Sequence, residues 1–287
     1  MKKYINTTLK LFLMLFMLSL FACDEIEPPY TEKVPVDTTN KGDTVRKILL
    51  EDYTGFKCVH CPTAQDLAKG LDTVYPGRLV LMAVHAGFFA DTDKVHTYNF
   101  KSPEGTELDV FFGNSKQGNP NGLINRVGYP SATVLKSGKW ESTIQGLLNT
   151  KARLSIKLKA NYDKNSNSIS IEANMKYNTP SSANDYLCVY VLEDSIVQYQ
   201  ADIRYTPPDR WDYVHNHVLR ASVTGTWGEQ LSTADITTGQ AFKKTYNYVI
   251  PAGKSWRTNK LKIVAFVHDF QNTYEIWQVE EADVTSN

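Results

Sequence analysis

Two hydrophobic periodicities divide the chain. In the first half, continuous apolar runs of strand length alternate with helical spacings. Lys47 to Asp52 carries one such run, and Ala64, Leu67, Ala68, Leu71 and Val74 then recur along one helical face until Pro76-Gly77 stops the pattern. Arg78 to Val84 is apolar on both faces, as in a central strand, and it places His85 at the carboxyl edge of a sheet, where open α/β folds carry their sites. Asp91 to His96 and Glu104 to Phe112 predict short helices, Gly118 to Gly122 predicts a turn or loop, and a last helix is predicted over Ser142 to Thr150.

From Ala152 the period becomes two. Leu154, Ile156 and Leu158 alternate with polar residues, and Ile169, Ile171 and Ala173 do so again after the Asp163 to Asn167 turn, which predicts a hairpin. Tyr186 to Leu192, Ala241 to Ile250, Leu261 to His268 and Tyr274 to Val279 predict further strands. Antiparallel strands in this number predict an immunoglobulin-like β-sandwich over residues 152–287. Gln198 to Gln230 interrupts the pattern with Tyr199, Tyr205, Trp211, Tyr213 and Trp227, beside Arg204 and Arg210. Its Tyr205 to Trp211 segment reads as an ordered loop, and the aromatics with the arginines either bind a partner or pack the loop onto the rest of the chain. His215 and His217 are two apart and would share a face if they lay on a strand, which is too little for a metal site.

The N-terminus changes the picture of address. Lys2 and Lys3 precede an apolar run from Leu11 to Ala22, too short for a comfortable membrane span and suited to a signal peptide over residues 1–22. Leu20-Phe21-Ala22-Cys23 resembles a lipobox, which implies cleavage before Cys23 and acylation there, an anchor of several fatty chains. Residues 23–44, rich in acids and proline, form a tether. Asp24-Glu25 resembles the acidic export signal of Bacteroidetes lipoproteins, which implies the outer membrane and often its outer surface.

Charge excludes one class of partner. Three of the 31 basic residues lie in the leader, which leaves 28 against 31 acidic residues and a net charge near −3. No basic footprint for nucleic acid remains. A hydrophobic content of 42% is that of a globular chain.

The chemistry concentrates at Cys58-Val59-His60-Cys61-Pro62, between the first strand and the first helix. Two residues between cysteines at a helix start let the sulfurs bond, and the free amides and positive end of the helix favour a thiolate at the first. Cys58 is therefore the candidate nucleophile and Cys61 the resolving thiol of a Cys58–Cys61 disulfide. His60 would tune the thiolate further. Zinc is a poor rival for a single such pair, and no cofactor is implied. Cys188, in an apolar strand, reads as core packing.

This arrangement resembles the thioredoxin superfamily, and Gly128-Tyr129-Pro130-Ser131-Ala132-Thr133-Val134-Leu135 resembles that superfamily's cis-proline segment. The resemblance implies a thioredoxin fold over residues 45–151. It also implies a cis Tyr129–Pro130 bond opening a strand that faces the cysteines, with Pro130 and Tyr129 positioning the substrate and Lys136 to Lys139 forming the next hairpin turn. Asp52, six residues before Cys58, matches the buried acid that moves protons at the second thiol, although a one-residue slip would give that part to Glu51. These features, together with Tyr213 to Arg220, resemble the twenty-eight-kilodalton outer-membrane protein family of Bacteroidetes over nearly everything after residue 45. The expectation is an outer-membrane lipoprotein that acts as a thiol–disulfide oxidoreductase, of oxidase or isomerase type, on exported proteins or a redox partner. The rival expectation is a surface binding or adhesion lipoprotein in which Cys58–Cys61 is only a staple.

Overall fold

A computed structural model describes residues 44–286. The expected signal peptide, the expected anchor at Cys23 and all but the last residue of the expected tether lie outside the described residues. Strand β1 (Ile48–Thr54) is buried along its whole length. It pairs in parallel with β2 (Leu79–His85), from Ile48↔Leu79 to Thr54↔His85. A parallel pair needs a crossover, and α1 (Cys61–Val74) supplies it. On the other side of β1, β3 (Asn121–Ile124) runs antiparallel, from Leu50↔Ile124 to Tyr53↔Asn121, and β4 (Leu135–Lys136) pairs with β3. Helices α2 (Pro103–Phe112) and α3 (Trp140–Leu148) complete this half.

The second half is antiparallel almost throughout. β5 (Leu154–Asp163) and β6 (Ser168–Tyr177) form the expected hairpin, followed by β7 (Asp185–Glu193). β8 (Ile196–Ala201) and β9 (Asp209–His215) form a second, separate hairpin. β10 (Val218–Ser222), β11 (Glu229–Gln230), β12 (Ala241–Val249), β13 (Leu261–Asp269), β14 (Ile276–Asp283) and β15 (Thr285–Ser286) follow. One sheet has the order β12-β6-β5-β15. The larger has the order β14-β13-β7-β10-β2-β1-β3-β4, with β11 also on β7. The large sheet therefore crosses the boundary expected between residues 151 and 152: β10 pairs with β7 and meets β2 at Val218↔Ala83.

Alternation along these strands sorts the core into layers. Leu49, Tyr53, Val80, Met82, Tyr190, Leu192 and Phe266 share one face of the large sheet with Leu108 of α2. The opposite face carries two covers. Ile48 and Leu50 pack against Ala64, Ala68 and Leu71 of α1 and against Trp140 and Ile144 of α3. Farther along, Val189, Val191, Ile263 and Ala265 pack against Leu154, Ile156, Ile171 and Met175 of the smaller sheet. Truncating one of these buried large side chains costs about 2–5 kcal/mol.

Several expected elements differ. Asn121–Ile124 is strand rather than loop: a β-carbon on Gly122 would fall 2.8 Å from the Glu51 carbonyl oxygen and 3.0 Å from the Trp140 ring, so glycine permits this close approach. Residues 91–96 are not helical. The Asp93 carboxylate accepts the Val95 and His96 amides at 2.9 and 2.8 Å, closing a local turn in place of a helical hydrogen bond. The stretch from Gln198 to Gln230 holds most of β8 and all of β9, β10 and β11, and β9 takes in Asp209 to Trp211 of the expected loop. Residues 136–139 are not a hairpin turn, since Ser137–Lys139 is a single 3-10 turn leading into α3.

Candidate functional site

β1 ends at Thr54 and the chain turns through Gly55-Phe56-Lys57. The Cys58 amide donates to the Gly55 carbonyl at 2.9 Å and the Cys61 amide to the Cys58 carbonyl at 3.2 Å. These bonds wind the chain into α1, whose first turn holds Pro62, a residue with no amide to leave unsatisfied there. Cys58 and Cys61 are joined as a disulfide with their Cα atoms 5.4 Å apart. Cys58 is 3% exposed and Cys61 is fully buried. His60 is exposed, caps α1 by position alone and makes no side-chain capping bond.

The burial comes from the β8–β9 hairpin. The Ala201 amide donates to the Phe56 carbonyl at 2.8 Å, and the Ile203 amide to the Val59 carbonyl at 3.0 Å. Between them, the buried Gln200 side chain donates to the Cys58 carbonyl at 3.0 Å. The Tyr213 hydroxyl donates to Gln65 of α1, and Arg204 reaches Asp66 of α1 at 2.6 Å. Arg204 also grips the buried Asp202 carboxylate at 2.8 and 2.7 Å, which fixes the end of the hairpin. The backbone carbonyls of Phe56, Cys58 and Val59, on and beside the first cysteine, are thus all engaged by this hairpin and the turn after it.

The carboxyls of Glu51 and Asp52 point to opposite faces of β1. Glu51 forms a bidentate ion pair with Arg126, at 2.9 and 2.8 Å, and both are fully buried. The guanidinium lies over the Phe112 and Phe266 rings. Asp52 lies on the α1 side. It is 5% exposed, and its Oδ1 has no hydrogen-bond partner among the described residues. Burial raises its pKa to about 7. It lines a cavity of about 600 Å³ between α1 and β9, with Gln65, Lys69, Asp72, Arg210 and Tyr213. Of the two adjacent acids, Glu51 is paired with Arg126 and Asp52 is not.

The expected role of the Tyr129–Pro130 pair is corrected. The bond is cis. However, it lies in the turns between β3 and β4, Pro130 is exposed, and no strand begins there. Because β3 is antiparallel to β1, residues after Ile124 lie toward the amino end of β1, away from the cysteine turn. Tyr129 packs instead on Phe111 and Tyr274, with ring centres 5.7 and 4.8 Å away. The X-Pro bond at the cysteine end of β3 is Asn119–Pro120, also cis, directly before Asn121, which pairs with Tyr53.

Two buried histidines adjoin the site. His85 ends β2 opposite Thr54, stacks on Phe100 with ring centres 4.4 Å apart, and has no hydrogen-bond partner for either ring nitrogen among the described residues. His215 of β9 lies 5.4 Å from it, centre to centre. Burial lowers both pKa values: His85 falls well below the usual range, with His215 and Arg220 adding to the effect, and His215 falls to about 4. Both imidazoles are therefore neutral at neutral pH. Among the described residues, no three histidine, cysteine, aspartate or glutamate side chains gather to hold a metal ion.

Comparison with known proteins places this geometry. No curated protein sequence matches the chain. HBP35 of Porphyromonas gingivalis superposes with a TM-score of 0.62 over 85% of this chain and 77% of that one, at 18% identity, a likeness of fold. A domain of the outer membrane lipoprotein Omp28 from the same organism aligns at 26% identity over 47% of this chain and 91% of that one, with a TM-score of 0.32. The profile described as Outer membrane protein Omp28 matches residues 112–287, more than half of the chain. The chain belongs to the Omp28 outer-membrane protein family, and the outer membrane is its location.

Proposed function

We propose that this protein is a binding lipoprotein, held at the outer membrane through Cys23, whose Cys58–Cys61 disulfide is a structural clip. The observation that carries this reading is the hairpin clasp. Thiol–disulfide exchange needs a thiolate to approach a sulfur in line. Here both cysteines are buried, and the carbonyls of Phe56, Cys58 and Val59 already accept from β8 and the turn after it. The architecture of residues 45–151, with parallel β1 and β2 joined by α1, then antiparallel β3 and β4 and a closing α3, supports reading this half as thioredoxin-like. On this account the fold keeps the disulfide of that superfamily while the substrate face is occupied from within.

A second reading keeps the oxidoreductase, with Cys58 attacking and Cys61 resolving after the hairpin lifts. Asp52 favours it, as a buried carboxyl with a pKa of about 7 beneath the helix that begins at Cys61. Dithiothreitol reduction followed by alkylation and mass analysis separates the two. The clip reading expects reduction to be at least about 100-fold slower in the folded protein than in denaturant. Equal rates, or catalysed reduction of insulin by the folded chain, would return the function to redox chemistry.

A further inference from the structure

We propose that the cavity beneath the β8–β9 hairpin is a binding site for a small aliphatic amine, whose ammonium is held by Asp52. The space of about 600 Å³ falls within the range of small-molecule sites. Its walls divide by chemistry. Leu50, Ala68, Leu81 and Ala83 give an apolar floor along β1, α1 and β2. At the base sits the Asp52 carboxyl, 5% exposed, with one oxygen lacking any partner among the described residues. A buried polar atom left unmatched is costly, and native proteins rarely keep one without a reason.

The charges around the cavity decide the sign of the ligand. Asp66 and Asp72 of α1 and Asp52 of β1 face Lys69 of α1 and Arg210 of β9, with Tyr213 and His217 as the remaining titratable neighbours. Arg210 is turned elsewhere: its guanidinium lies near Asp202 and Asp212, at 3.7 and 3.6 Å, and over the Tyr205 and Tyr213 rings. Asp66 is matched by Arg204. Asp52 has no ion-pair partner among the described residues, so an entering cation satisfies what the protein leaves open. A primary amine on a short alkyl stem matches both walls: the ammonium reaches Asp52 and the methylenes lie on the apolar floor. A second amine at the far end would meet Asp72. This inference rests on the clip reading in one respect, that Asp52 is not engaged in proton transfer to Cys61.

Titration calorimetry of the mature full chain in detergent, with cadaverine as the probe, tests it. The expected result is saturable binding at pH 8, weakened at least tenfold in Asp52→Asn, with no binding of the uncharged pentane-1,5-diol. Because an ionised Asp52 is required, the wild-type affinity should also fall at least tenfold from pH 8 to pH 5.5, a measurement that stands even where the variant fails to fold. Absence of cadaverine binding, equal binding by Asp52→Asn, or pH-independent affinity overturns the proposal. None of these outcomes touches the clip reading, which stands or falls on the reduction of the disulfide.

Discussion

Two carboxyl groups adjacent in sequence occupy opposite faces of the same strand and meet opposite fates. Glu51 faces α2 and is matched by Arg126, with both charges fully buried and bidentate. Asp52 faces α1 and lines a cavity, and its buried Oδ1 has no hydrogen-bond partner among the described residues. The first face behaves as core, where a buried charge persists only because its counter-charge is fixed beside it. The second face holds a charge the fold does not answer. Such unanswered groups mark function more often than packing does.

The largest break in this comparison should come from the matched face. Arg126→Met leaves Glu51 buried and alone, and a loss of about 3–5 kcal/mol is expected in urea unfolding. On the other face the effect should depend on pH. The folded pKa of Asp52, about 7, lies above its unfolded value near 3.8, so the folded state holds the extra proton between them. Its contribution is fully favourable below the lower value and is lost as pH rises through the higher one, by at most about 4 kcal/mol. Asp52→Asn should thus match wild type at pH 4 and gain stability by pH 8. The depressed histidines, His85 and His215, give the opposite slope, since their stability is present above about pH 6.5 and lost on acidification. Subtracting the variant's melting curve from that of wild type cancels their part and leaves the aspartate's.

Smaller effects sharpen the account of the clasp. Replacing both cysteines by serine opens a loop of only a few residues, and chain entropy predicts a loss of about 2 kcal/mol. Tyr213→Phe removes one hydroxyl bond between the hairpin and Gln65. About 1 kcal/mol in chemical unfolding is expected, together with faster reduction of the disulfide in the folded chain.

The sequence made legible those parts that local pattern determines. The β1–α1–β2 unit follows from continuous apolar runs and a helical stripe, and β5–β6 from strict alternation around an Asp163 to Asn167 turn. The cysteine pair at the strand-to-helix junction is equally local. What stayed hidden is non-local. β3 is short and glycine-containing, and it exists because Gly122 lets the strand lie against Trp140, a contact no periodicity announces. With that strand hidden, the sequence points to Tyr129-Pro130, whereas the cis X-Pro bond that adjoins the cysteine end of β3 is Asn119–Pro120. The aromatics of residues 199–213 were visible. Their partner was not, because the hairpin pairs only with itself and docks on the disulfide through backbone and Gln200.

The central claim is that the clasp makes Cys58–Cys61 a clip, and its most direct test is the reduction potential of the pair. The measurement would use the mature chain carrying Cys23→Ser, which prevents acylation, and Cys188→Ala, which removes the buried free thiol. The account predicts a potential below about −300 mV, the range of structural disulfides. A value between about −120 and −270 mV, where oxidases, isomerases and thioredoxin work, would contradict it and make the hairpin the cover of a working redox site.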